Sequence, residues 1–218
     1  MEYGYARVST KEQNELRQLI ALREFGLTDR AIFVDKQSGK DFDRRSYQRL
    51  LRKLKDGDTL VIKSIDRLGR NYEEILEQWR IITKEKGAVC LMQIGDKLAS
   101  GEPHDGRAPD YDDWSLNADI VVYYPVLDIA LELSSMGIRV DKKALLDQLQ
   151  KAGCPERAEL PYHKAVINGE LPLTIGGGIG QSRICMFFLR KAHIGEVQCS
   201  LWSDEVMEIA KENGLQLL

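Results

Sequence analysis

The chain changes character between Ala88 and Val89. Its six prolines, four cysteines and three histidines all lie after that point. The charge turns with the composition. Residues 1–88 carry 19 Lys+Arg against 15 Asp+Glu, and residues 89–218 carry 12 against 19. The two stretches are therefore +4 and −7, which together give the −3 of the whole chain. A charge asymmetry of this kind points to two origins or two partners. The sequence predicts two unlike pieces, 1–88 and 89–218, each with its own sheet.

The totals narrow the class. Hydrophobic residues at 43% and charged residues at 30% are ordinary for a globular protein in water. No apolar run is long enough to cross a bilayer, and the N-terminus lacks a secretory pattern. Cysteines 90, 154, 185 and 199 have no paired metal spacing and sit mostly in apolar runs. They read as buried, reduced thiols of a cytoplasmic protein without a membrane partner.

In the first piece apolar strands alternate with amphipathic helices. Tyr3–Val8, Ala31–Val34 and Thr59–Lys63 read as strands. Ser9-Thr10-Lys11-Glu12 has the form of a capping box ahead of Leu16, Leu19 and Ile20. Tyr47, Leu50, Leu51 and Leu54 mark a second helix, and Ile75, Leu76, Trp79 and Ile82 a third. This alternation predicts an α/β unit with a parallel sheet, whose active groups gather at the carboxyl ends of the strands. Those ends carry Arg7 and Ser9, then Asp66, Arg67 and Arg70. A hydroxyl beside several guanidiniums suits attack on a phosphate. A plain helix cap at Ser9 with solvated arginines is the competing reading.

Tyr5-Ala6-Arg7-Val8-Ser9-Thr10, followed by Asp66-Arg67-Leu68-Gly69-Arg70, resembles the catalytic domain of the serine recombinases of the resolvase/invertase family. The resemblance implies DNA as a partner and no cofactor. Ser9 would be the nucleophile, forming a 5′-phosphoserine link. Arg7, Arg45, Arg67 and Arg70 would hold the phosphate, and Asp66 would orient them or serve in proton transfer. It stops near residue 88, before any dimerisation helix or DNA-reading element of that family.

The second piece reads differently. Leu127, Ile129, Leu131 and Leu133 alternate with polar residues, as in a half-buried antiparallel strand, which sets Glu132 and Ser134 on one face. Val89–Ile94, Ile120–Tyr124, Leu171–Ile175 and Val197–Trp202 are further strand candidates, and Gly95–Trp114 reads as a loop. Asp141 can cap a helix carrying Leu145, Leu146 and Leu149. The run Gly176-Gly177-Gly178-Ile179-Gly180 leads into a helix with Arg183 in its first turn. Glycines let a ligand approach the backbone, an arginine suits phosphate, and Glu132 suits Mg²⁺, so Gly178, Gly180, Arg183 and Glu132 read as a nucleotide site. A tight structural turn and a solvated strand face are the competing readings.

This piece resembles the C-terminal part of bacterial aspartate–ammonia ligase, through Pro109–Trp114, LELSSMGIRV at 131–140, LTIGGGIGQSR at 173–183 and AHIGEVQ at 192–198. The resemblance implies a class II aminoacyl-tRNA-synthetase-like antiparallel core. It implies aspartate, ATP and ammonia as substrates, and Mg²⁺. Aspartate would be activated as an aspartyl adenylate and converted to asparagine by ammonia, in an enzyme that can be a homodimer. Arg183 would sit on the ATP phosphates. Asp119 and Ser135 would join Glu132 at nucleotide and metal, and Asp112, Arg107 and Arg139 would line the aspartate and adenylate site.

The expectation is a hybrid of two incomplete enzyme fragments. A truncated resolvase-like parallel sheet (α/β, 1–88) would precede a partial synthetase-like antiparallel sheet (α+β, 89–218), neither half turning over by itself. The alternative expectation is a residual recombinase that cleaves and joins DNA through Ser9.

Overall fold

The computed structural model describes residues 1–8, 12–36, 44–63, 67–69, 72–94 and 107–218, with 12–15 as backbone only. The chain divides into two compact units, one built on Met1–Lys86 and one on the residues from Gly87 onward.

The first unit runs β1 (Glu2–Val8), α1 (Glu12–Glu24), β2 (Ile32–Lys36), α2 (Arg45–Lys53), β3 (Thr59–Ile62) and α3 (Tyr72–Lys86). The strands form a parallel sheet in the order β2-β1-β3. Parallel neighbours cannot be joined by a tight turn, so α1 and α2 serve as the crossovers. Ala6, Leu22 and Leu27 form a core cluster with Ile32, Val34 and Val61 packed against it. On α2 the buried residues are Tyr47, Leu50 and Leu51, the three-and-four spacing of one helix face. Asp35, at the end of β2, closes the open start of α2. Its carboxylate accepts the backbone N–H groups of Ser46 at 2.9 Å and Tyr47 at 3.0 Å, and the Tyr5 hydroxyl at 3.1 Å. Burial, then the facing Asp35 carboxylate, pushes the Tyr5 phenol well above its ordinary range. Burial does the same to Tyr47, whose ring lies 4.9 Å from that of Tyr5. The second strand begins at Ile32 because Asp29–Ala31 coil as a 3₁₀ turn. The Ser9–Lys11 part of the expected capping box lies outside the described residues.

The second unit runs β4 (Ala88–Met92), β5 (Asp112–Tyr124), β6 (Ile129–Arg139), α4 (Lys142–Lys151), α5 (Pro161–Ile167), β7 (Ile175–Ile179), α6 (Gln181–Phe188) and α7 (Asp204–Glu212). Its sheet is antiparallel throughout, in the order β4-β5-β6-β7. Val140, Leu145 and Leu149 form a core cluster with Val166 and Ile167 of α5 against it. Asp141 caps α4 as expected, accepting Ala144 N–H at 2.7 Å.

Four expectations are corrected here. The strand expected at Leu171–Ile175 lies at Ile175–Ile179, so the glycine run is itself a strand paired with Ser134–Ile138. Two of its glycines face close neighbours: a Cβ on Gly177 would meet the Met136 Cβ at 3.2 Å, and one on Gly176 would overlap the Arg139 guanidinium. No strand forms over 197–202. There the 3₁₀ turn Ile194–Glu196 folds under a His193–Trp202 ring contact of 4.8 Å. Burial opposes ionisation of Glu196, but hydrogen bonds from His193 N–H and from Lys191 outweigh it and hold its carboxyl below the usual range. The thiols are free but not buried: Cys90, Cys185 and Cys199 are exposed. Finally, Glu132 and Ser134 do not share a face. Ile120 pairs with Ser134 but Val121 pairs with Glu132, so Leu133 is an extra, bulged residue. The bulge carries Glu132 to the side of Asp119 and Ser135.

Candidate functional site

Strand pairing brings the charged residues of the second unit together. Asp119 faces Ser135 across β5 and β6, and Ser135 faces Gly178 across β6 and β7. Directly paired residues point to the same side of a sheet. Asp119, Ser135, Gly137, Arg139, Gly176 and Gly178 therefore share one face, and the bulge adds Glu132. Three arginine–carboxylate pairs line this arrangement. Arg107 Nη2 donates to both oxygens of Asp119 at 2.8 and 2.6 Å, while its Nη1 donates to Ser135 Oγ at 3.3 Å. Arg139 donates to Asp112 through Nη1 and to the Tyr111 hydroxyl at 2.8 Å through Nη2, with its guanidinium 3.7 Å from the Tyr111 ring centre. Arg183 reaches Glu132, donating at 3.1 Å to both its carboxylate and its carbonyl.

Glycines make room for these pairs. A Cβ on Gly137 would sit 2.7 Å from Asp112 Cγ, so the Asp112 side chain lies directly over that glycine. Among the described residues Gly178 is open, with Ser135 O, at 3.9 Å, the only neighbour a Cβ there would meet. Gly180 caps α6, and its N–H donates to Leu133 O at 2.9 Å. The first two pairs are mostly buried and Arg183–Glu132 is half exposed. Every second-unit residue singled out from the sequence thus lies on or beside this sheet face. Tyr111 and the buried Gln148 were not singled out. Gln148 lies between Leu145 and Leu149 on the inner side of α4, where a polar residue among leucines is the only signal the sequence offers.

In the first unit, Ser9, Asp66 and Arg70 lie outside the described residues. Arg67 Nη1 donates to the Arg7 carbonyl near the end of β1 at 3.4 Å. Arg45 opens α2 on its exposed side, and the buried arginine is its neighbour Arg44, whose Nη1 donates to the Leu68 carbonyl. Among the described residues no group of three or more His, Cys, Asp or Glu could hold a metal ion, and no helix is long and apolar enough to cross a membrane.

This antiparallel sheet face sets three guanidiniums and three carboxylates beside Gly178, groups of the kind that hold a small, multiply charged ligand. The family model for aspartate–ammonia ligase matches residues 16–214. An aspartate–ammonia ligase of Clostridium perfringens (strain SM101) is 48% identical over 219 residues, covering all of this chain and 63% of the relative. Its counterpart in Fusobacterium nucleatum is 52% identical over 191 residues, 87% of this chain and 58% of that one. The Ruminiclostridium cellulolyticum ligase is 64% identical over 149 residues, 67% of this chain and 44% of that one. The chain belongs to the aspartate–ammonia ligase family, and it spans 63% of the length of the C. perfringens relative.

These matches correct the hybrid reading. The family model runs across the break at residues 88–89 and well into the first unit, and the C. perfringens alignment covers the whole chain. The compositional break is therefore a change within one family's chain and not a seam between two. No comparison supports a serine recombinase, a resolvase-like sheet or DNA as a partner. The nucleophile role of Ser9, the phosphate roles of Arg7, Arg45, Arg67 and Arg70 and the orienting or proton-transfer role of Asp66 rested on the recombinase resemblance alone. The short motif misled because any parallel sheet brings polar and basic residues to its strand ends.

Proposed function

We propose that the second unit supplies the ATP- and aspartate-binding face of an aspartate–ammonia ligase, which joins ammonia to aspartate using ATP. The observation that carries this reading is the set of three arginine–carboxylate pairs along β5, β6 and α6, beside the open Gly178. ATP supplies the activation of the aspartate carboxylate. Arg183 clamps its phosphates, and Glu132 is released from Arg183 as they arrive. Gly178 and Gly180 leave the backbone within reach of the nucleotide. Glu132 with Asp119 suits Mg²⁺, which takes one or two carboxylates and completes its shell with phosphate oxygens and water. This demand is met without a cluster of three acidic side chains. Arg107 holds Asp119 and Ser135 in one orientation. Arg139, flanked by Asp112 and Tyr111, offers a guanidinium to a substrate carboxylate, and Asp112 offers a partner to its ammonium group. The free cysteines fit a reducing compartment, the cytoplasm.

The test is to incubate the full chain with aspartate, ATP, Mg²⁺ and isotopically labelled ammonium, and to follow labelled asparagine by mass spectrometry alongside binding titrations of ATP and aspartate. Labelled asparagine is the expected product. Failure of both ATP and aspartate to bind at millimolar concentration would overturn the reading.

A further inference from the structure

We infer that Gln148 is a positioning residue for the binding face, because its side chain stands in for a missing strand partner and fixes where Asp112 points. The ladder between β5 and β6 breaks near Asp112. Asp112 pairs with Arg139 and Asn117 with Gly137, so four residues of β5, 113–116, lie opposite the single Ile138. Backbone groups in such a bulge have no ladder to satisfy them. Gln148, on α4, satisfies one of them, Trp114 N–H, and two carbonyls just before the bulge. Its Oε1 accepts Trp114 N–H at 2.8 Å, and its Nε2 donates to the carbonyls of Asp112 at 3.0 Å and Pro109 at 2.9 Å. Both amide hydrogens and the amide oxygen are thus committed, and the residue is 3% exposed. A neighbouring contact holds the same arm: Asp110 Oδ2 lies 3.0 Å from His163 Nε2, on α5. The arm 109–114 carries Tyr111 and Asp112, the two residues that flank the Arg139 guanidinium. One end of the arm is held by sheet pairing, Asp112 with Arg139 and Val140 N–H donating to the Tyr111 carbonyl at 3.0 Å, and Gln148 fixes its course on either side of that point. Gln148 touches neither the Asp112 carboxylate nor Arg139, so it acts through the backbone.

The link from arm to aspartate rests on the proposed function, whereas the link from Gln148 to arm does not, and the experiment separates them. Amide hydrogen exchange is measured on the full chain, unmutated and with Gln148→Met, which keeps length and removes the polar atoms. The Trp114 amide is expected to exchange about tenfold faster in the variant, the effect of one buried hydrogen bond on local opening. The amides of β6 next to Gly178 should keep their rates. Gln148→Glu keeps the acceptor for Trp114 N–H and loses both donors, so Trp114 should stay protected while the Asp112 side of the arm loosens. It also serves if the Met variant does not fold. Titrations follow on the same proteins, with aspartate affinity expected to fall about tenfold in either variant and ATP affinity to stay within about twofold. Unchanged Trp114 exchange in Gln148→Met, or an increase no larger than that of β6, would overturn the inference. Faster arm exchange in a chain whose unmutated form ignores aspartate would instead remove the substrate reading and leave the positioning role standing.

Discussion

Gly137→Ala tests the packing of the binding face. The new Cβ would lie 2.7 Å from Asp112 Cγ, 2.9 Å from its Oδ1 and 3.0 Å from its Cβ. Ordinary carbon contacts begin near 3.4 Å, so something must shift. If Asp112 stays, the strands must part, an overpacking cost of about 1–3 kcal/mol. If Asp112 swings away it loses Arg139, a charge-assisted contact worth about 1.5–3 kcal/mol. The Asp112 side chain is only 9% exposed, so solvent does little to soften that loss. Both routes converge on about 2 kcal/mol. With a urea slope of about 2 kcal/mol/M, the midpoint for the second unit should fall by about 1 M. Urea titration followed by tryptophan fluorescence reads this directly. A midpoint within about 0.2 M of the unmutated protein would refute the claim that Asp112 is packed over Gly137.

Gly178→Ala should behave in the opposite way: with open space above it, stability should change by less than about 0.5 kcal/mol in a urea titration, while ATP affinity falls because the methyl group enters the binding face. Asp141→Ala should lower stability by about 1 kcal/mol in the same assay through loss of the α4 cap. Tyr5 and Tyr47 have raised pKa values, so the folded state keeps protons that the unfolded chain releases near pH 10. Stability should therefore be whole below that pH and fall as pH rises past it, and ultraviolet absorbance should show the two phenols ionising only as the first unit unfolds. Glu196 has a lowered pKa, so its contribution is present above the ordinary carboxylate range and lost as pH falls through its folded value. Glu196→Gln should therefore flatten the acid limb of the stability profile in urea titrations from neutral to acidic pH.

Much of the fold was legible because it follows from side-chain periodicity. The alternation of strands and helices in residues 1–88 predicted a parallel sheet, and Leu127–Leu133 predicted an antiparallel strand. Two features were hidden for physical reasons. A strand of Ile-Gly-Gly-Gly-Ile has almost no side chains to alternate, so β7 reads as a turn. A one-residue bulge at Leu133 leaves the local pattern intact while moving Glu132 to the other face. The residues of the candidate site were legible because long, specific runs such as 131–140 and 173–183 carry them. The short runs 5–10 and 66–70 carried far less information, and the recombinase reading drawn from them failed. In the sequence Gln148 shows only as a polar residue among leucines, since its role depends on a break in a ladder thirty-odd residues earlier in the chain.

The most direct measurement is a calorimetric titration of ATP into the full chain with Mg²⁺, unmutated and as Arg183→Ala. Removing the guanidinium that Glu132 now holds should weaken binding by about ten- to a hundredfold, the range for charge-assisted contacts to phosphate. Saturable binding to the unmutated chain with that loss in the variant is the predicted result. Equal affinity in both, or no binding to either, would contradict a nucleotide site on this sheet face.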